Sequence, residues 1–164
     1  MQDSFVPLIV AAGCFLAVLV WRVRPLVGWT ARRRTSRQAL AEARARAELA
    51  PDEKERARAL CDAADLLAAH AHSRGDATGF YARAIRLDPT SVEIIDRAVA
   101  GLARTPRALE LVLWRHLAST PWRQSTDATR AALDGLRALY EGPLRSAIRA
   151  RALENAREVL KESA

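Results

Sequence analysis

At 164 residues and 18.0 kDa the chain suits one globular domain, or one small domain plus an anchor. A hydrophobic content of 50% excludes wholesale disorder, and an aromatic content of 5% in an alanine-rich chain favours helix over sheet. The net charge of +7 suggests nucleic acid or an anionic membrane until it is located: residues 1–21 carry only Asp3, residues 22–46 carry eight arginines against Glu42, and the remainder is nearly neutral.

No charged side chain occurs from Ser4 to Trp21. Eighteen helical residues rise about 27 Å, close to the hydrocarbon thickness of a bilayer. The spacing therefore predicts a transmembrane helix over Phe5–Trp21, within an anchor at residues 1–21. Pro7 stands near its start, where a missing N–H is tolerated. A cleaved signal peptide would begin with basic residues and end in a small-x-small site before polar chain, and neither is present. Val10-Ala11-Ala12-Gly13-Cys14 loosely resembles a lipobox, but no basic residue precedes it and the chain stays apolar beyond Cys14. Cys14 and Cys61 read as two small buried residues, in settings that suit neither a disulfide framework nor a zinc site. Orientation follows from Asp3 on one flank and Arg22, Arg24, Arg32, Arg33, Arg34 and Arg37 on the other. Basic residues near a span stay on the cytoplasmic side. The expectation is a bacterial inner-membrane protein with its N-terminus outside and residues 22–164 in the cytoplasm.

Residues 22–50 form a basic juxtamembrane linker or helix. Trp21, Arg22, Arg24, Trp29, Arg32, Arg33 and Arg34 are the expected membrane-interface residues, where anionic lipid adds about 1 kcal/mol per basic group. A near-neutral remainder, and Trp29 as the single aromatic of the band, argue against nucleic acid. The stretch Ser36–Leu49 reads as helix with a thin apolar stripe of Ala39, Leu40, Ala43 and Ala47. It either continues the membrane helix or forms a stalk.

Beyond it, residues 51–164 read as helix throughout. Pro51-Asp52-Glu53 opens a helix whose apolar face runs Ala57, Leu60, Cys61, Ala64, Leu67, Ala68 and Ala71. Gly75-Asp76 is its expected close. A shorter helix follows through Phe80, Tyr81, Ala84, Ile85 and Leu87 to Asp88-Pro89. Thr90-Ser91-Val92-Glu93 fits a capping box before Ile95, Ala98, Val99 and Leu102. Thr105-Pro106 is an N-cap and N1 pair before Leu109, Val112, Leu113 and Leu117. Pro121 ends that helix. Ser125-Thr126-Asp127 starts the next, with Ala132, Leu133, Leu136 and Tyr140 inward. After Gly142-Pro143 a last helix carries the stripe Leu144, Ile148, Ala152, Ala156, Val159 and Leu160.

Frames beginning at Arg58, Val92 and Thr126 superpose Ala64, Ala98 and Ala132, and also Ala84, Ala118 and Ala152. Each period of about 34 residues holds two helices and a turn. Tyr81-Ala82-Arg83-Ala84-Ile85-Arg86-Leu87-Asp88-Pro89 resembles the end of a tetratricopeptide repeat: an aromatic, Ala three residues on, then Leu-Asp-Pro. Gly75-Asp76 resembles the inter-helix turn of that family, but stands about three residues too close to Pro89, so the second helix of the repeat is expected to be short or irregular. Later units lack the closing proline and carry Arg115 and Arg149 at the aromatic position. A generic antiparallel helical bundle is the simpler alternative. The resemblance implies an all-α, TPR-like α-solenoid of about three degenerate repeats over residues 54–160, with a concave face that binds peptides or protein segments.

The family's groove positions fall on Asp62, Leu66, Glu93, Asp96, Arg130, Asp134 and Arg137, a set of mixed charge. Leu111 and Trp114 lie off the apolar stripe of their helix and are candidate partner contacts; Trp114 packing on the final hairpin is the alternative. Trp122 is expected to plug a gap between repeats. His70, His72 and His116 form no chelate, and no catalytic, cofactor or metal constellation is expected. The layout resembles bacterial envelope-assembly factors with an anchor and cytoplasmic tetratricopeptide repeats, without the C-terminal cysteines of their metal knuckle. The expectation is a membrane-anchored adaptor for other proteins. The alternatives are a structural subunit of a membrane complex, an exported lipoprotein or periplasmic repeat protein, and a helical enzyme subunit.

Overall fold

The computed structural model describes residues 38–70, 73–121 and 125–162. All regular structure among the described residues is helical: α1 (38–49), α2 (Glu53–Ala68), α3 (Arg74–Leu87), α4 (Val92–Leu102), α5 (Pro106–Ser119), α6 (Thr126–Glu141) and α7 (Ala147–Glu162). The chain divides after Gln38, and α1 from Ala39 onward and all of α2–α7 belong to the unit Ala39–Ala164. The expected anchor, the basic residues up to Arg37, and Trp122 lie outside the described residues. No helix among the described residues is long and apolar enough to cross a membrane.

Local signals set most helix starts. Asp52 caps α2, its carboxylate accepting from the Glu55 backbone N–H at 2.6 Å, and Glu53 and Glu55 place negative charge in the first turn. Ser91, one residue later than the expected capping box, caps α4 by accepting from the Ile94 N–H at 3.4 Å. Glu93 there turns to Arg97 instead of reaching back to the cap. Pro106 occupies the first turn of α5 as its fixed φ favours. The Thr105 hydroxyl makes no cap; it donates to the Leu102 carbonyl at 3.1 Å.

The joint between α2 and α3 differs from the expectation. Gly75 and Asp76 do not close α2, which ends at Ala68; they sit in the first turn of α3, a full 14 residues long. Burial explains the earlier start. Ala77, Tyr81, Ala84 and Ile85 form one helical face against the core, and extending α3 backwards costs only two exposed glycines, Gly75 and Gly79. The resemblance to a tetratricopeptide turn at Gly75-Asp76 thus fails, and the second helix of that hairpin is neither short nor irregular.

The hairpins stack in two layers. α2, α4 and α6 pack in sequence, α3 lies on α2 and also touches α4 and α5, α5 joins α4 to α6, and α7 lies on α6. Ala64, Ala98 and Ala132, the residues superposed by the 34-residue offset, are all fully buried. Small side chains suit them to a close helix–helix layer, and Gly135 adds to it: a Cβ there would stand 2.9 Å from Val99 Cγ2. The second superposed set does not behave alike, since Ala84 is buried while Ala118 and Ala152 are exposed. The repeat is therefore regular in the α2/α4/α6 layer and irregular in the α3/α5/α7 layer. There α3 packs on α5, but α5 and α7 stay apart. The core fills with Ile94, Ile95, Leu102, Leu109, Leu113 and Leu136, each almost fully buried, and each contributes about 1.5–3 kcal/mol of transfer free energy.

The described part of α1 belongs to this body. Ala43 and Ala47 are buried and Leu40 packs on the core, so the thin alanine stripe is wide enough to hold a helix. Arg56 donates to the Ala47 carbonyl at 3.2 Å, and the Arg44 guanidinium stands 5.2 Å from the Phe80 ring centroid.

Candidate functional site

Two polar clusters pin the layers together, each built around a tyrosine from carboxylate and arginine side chains. In the first, α3 brings Tyr81 beneath α2 and its hydroxyl donates to Asp65 Oδ1. From α4, Arg97 Nε reaches Asp65 Oδ2 at 2.9 Å and Nη2 reaches Asp62 Oδ1 at 2.7 Å. Glu93 stands 3.7 Å away at i−4, and Arg46 of α1 reaches Asp62 at 3.4 Å. Gly101 makes the tyrosine position possible. A Cβ there would overlap the Tyr81 hydroxyl and lie 2.8 Å from Cζ. Burial, then the bond to Asp65, raises the Tyr81 pKa. Burial pushes the neighbouring Cys61 thiol up to about 12, so it is an inert packing group.

In the second cluster, Tyr140 of α6 accepts from Trp114 Nε1 at 3.0 Å and donates to Glu110 Oε1 at 2.5 Å. Arg149 of α7 completes it, with Nη1 at 3.1 Å from Glu110 Oε1 and its guanidinium 5.4 Å from the Tyr140 ring centroid. Because α5 and α7 stay apart, this cluster does not close the surface. It stands at the edge of a groove of about 440 Å³. Trp114 and Leu117 of α5 form one wall. Arg149, Ala152 and Ala156 of α7 form the other, over Leu133, Tyr140 and Leu153.

The outer face of α7 extends this apolar surface. Of the stripe expected to face the core, Leu144 and Leu160 pack on it and Ala156 is half-buried, but Ile148, Ala152 and Val159 are exposed, Ile148 by 85% and Val159 by 61%. Ala150 and Leu153 make the buried core contact. The physical reason is that α7 carries two apolar faces, and α6 covers only one of them.

Each residue singled out from the sequence has a definite place. Asp62 and Glu93 meet through Arg97. Asp134 pairs with Arg157 of α7 at 3.1 Å, and Arg137 with Glu154 of α7 and with Glu141 at 3.1 Å. Arg130 pairs with Asp127 at 2.8 Å. Leu66 is half-buried and Asp96 exposed. The structure thus brings Asp62 to Glu93, and brings Asp134 and Arg137 to α7. Leu111 and Trp114 stand on α5 in the other layer, 57% and 43% exposed. Trp114 is at once exposed and bonded to the final hairpin. The membrane-interface set Trp21, Arg22, Arg24, Trp29, Arg32, Arg33 and Arg34 lies outside the described residues. The sequence reading missed Glu110, Arg149 and the outward role of Ile148 and Val159. The available signal was an α7 stripe wider than one neighbouring helix can cover.

His116 is buried on α5. Its Nδ1 lies 3.2 Å from the Thr120 hydroxyl and its Nε2 has no partner among the described residues, and burial lowers its pKa. No group of three metal-ligating side chains occurs among the described residues. The chain matches no family model, no curated protein and no solved structure.

Proposed function

We propose that the chain is a membrane-anchored adaptor that recruits or scaffolds other proteins through its helical domain. In this reading Phe5–Trp21 spans a bacterial inner membrane with the N-terminus outside. The arginine-rich collar rests on anionic lipid, and the hairpins form a TPR-like solenoid of about three degenerate repeats in the cytoplasm. The partners are components of a membrane complex, with envelope assembly as the candidate setting, and no cofactor takes part. One observation carries the reading: the large apolar side chains Leu111, Trp114, Ile148 and Val159 are exposed together along α5 and α7, the two helices that wall an apolar groove.

A structural subunit without a peptide groove is the second reading. It is favoured by the ion pairs of Asp62, Asp134 and Arg137, which engage the expected concave positions. Two measurements test the proposal. An export-dependent reporter fused after Ala164 should be inactive; activity would overturn the topology. Photo-crosslinking from Leu111 and Trp114 in intact membranes should capture a defined protein. Capture of lipid alone, or of nothing, would overturn the adaptor reading.

A further inference from the structure

The α5–α7 face also carries information on what it binds. Arg107, Leu111 and Trp114 share one face of α5 by their i, i+4, i+7 spacing, and Ile148, Ala152 and Val159 share one face of α7 at i, i+4, i+11. The groove between them is walled by two helices. Such a shape accepts a third helix, whose apolar side chains enter at i, i+3, i+4 and i+7. Alanine at 152 and 156 keeps the α7 wall low and leaves room for them.

Charge selects the partner. The carboxylates of α5, and of α7 as far as Glu158, are engaged: Glu110 with Arg149, Glu154 with Arg137 and Arg157, and Glu158 in an interaction of its own. The arginines are not. Arg107, on the Trp114 face of α5, and Arg145, just before α7, are exposed and make no ion pair among the described residues. Arg149 stands at the groove with its side chain 63% exposed, and only its Nη1 takes part in the described bonds. An apolar groove with the half-engaged Arg149 at its edge and exposed Arg107 and Arg145 on the flanking segments is complementary to an apolar helix flanked by carboxylates. A second copy of this chain fits poorly, since a twofold contact through this face would set the same arginines against each other.

We propose that the α5–α7 groove is the seat of an acidic amphipathic helix from a partner protein. The helix lays its apolar side between Trp114 and Ala152 and sets its Asp or Glu side chains against Arg107, Arg145 and Arg149. This inference rests on the adaptor reading and names the partner's chemistry.

The test is a selection from a display library of randomised 18-residue peptides. The bait is the full chain in phosphatidylcholine nanodiscs, whose neutral lipid leaves the collar unoccupied. Enriched peptides should show leucine-like residues at helical spacing with a net negative charge. Their binding should fall at least tenfold on Ala152→Trp, which fills the groove. It should fall as far on the surface variant R107E/R145E, whose melting curve is compared with the parent's to separate charge from folding. Enrichment of neutral or basic peptides would overturn the proposal, as would acidic ones indifferent to both variants. So would a dimer of the full chain that Ala152→Trp dissociates, because a second copy then fills the groove. Peptides lost instead on Asp96→Arg or Arg130→Glu would leave the adaptor reading standing and remove this seat. No enrichment would count against both.

Discussion

The Tyr81 and Tyr140 clusters use the same three side-chain types to opposite ends. Around Tyr81, one arginine meets two carboxylates from α2, and the side chain of Arg97 is only 27% exposed. Around Tyr140, one arginine meets one carboxylate, Arg149 is 63% exposed, and a groove remains beside it. The difference lies in the third helix. Arg97 sits on α4, which packs directly against α2 and α3, whereas Arg149 sits on α7, which packs on α6 and stays apart from α5. Where neighbouring helices meet, the polar cluster is a clasp. Where they part, it stands at the edge of an opening.

The largest expected effect comes from filling the space that the clasp requires. Gly101→Ala sets a methyl group against Tyr81 and should destabilise the domain by about 3 kcal/mol, the upper part of the overpacking range, as read by denaturant unfolding. An effect under about 0.5 kcal/mol would mean that Tyr81 is not held there. Next, Arg97→Ala strips charge-assisted bonds from both carboxylates and should cost about 2 kcal/mol. Arg149→Ala, at a more exposed pair, should cost less than about 1 kcal/mol. Equal losses from the two arginine variants would break the contrast between clasp and open edge.

A pH effect follows from His116, which lies beside the groove residue Leu117. Its folded pKa is lowered by burial, so between that value and the unfolded pKa of about 6.5 the unfolded chain binds more protons. The associated stability is fully present above about 6.5 and is lost as pH falls through that value towards the folded pKa. The melting temperature should therefore drop between pH 7 and pH 5, and His116→Leu should remove part of that drop. An unchanged drop would show that His116 takes up its proton equally in the folded and unfolded states. The smallest effects belong to α3, where Gly75 and Gly79 are helical and have open space around them. Replacing either by alanine should stabilise by about 0.4–1 kcal/mol. Destabilisation would mean that this turn is not helical in solution.

The all-helical class and most helix ends were legible because capping and proline signals are local. Asp52, Pro106 and Pro89 each act within one turn. The inward faces of α2, α4, α5 and α6 were legible for the same kind of reason, since apolar residues at helical spacing fall on one side. The start of α3 was hidden because Gly75 and Gly79 read as breaks, and only the burial of Tyr81 and Ala77 overrides them. The face of α7 was hidden because its period is shared by a core stripe and an uncovered stripe. Which of the two meets α6 depends on packing that no window of sequence contains. The cluster bonds that join different layers link residues far apart in sequence, 16 positions for Tyr81 to Asp65 and 39 for Arg149 to Glu110, and no local pattern announces them.

The central claim is that the domain meets its partner at the uncovered α5–α7 face and not at the α2/α4/α6 layer. The most direct measurement compares a photo-crosslinker at Ala152 with one at Asp96, in the full chain in intact membranes, with the crosslinked segment identified by mass spectrometry. The account predicts a protein adduct from Ala152 that maps to an acidic helical segment, and none from Asp96. A protein adduct from Asp96 with none from Ala152 would contradict it.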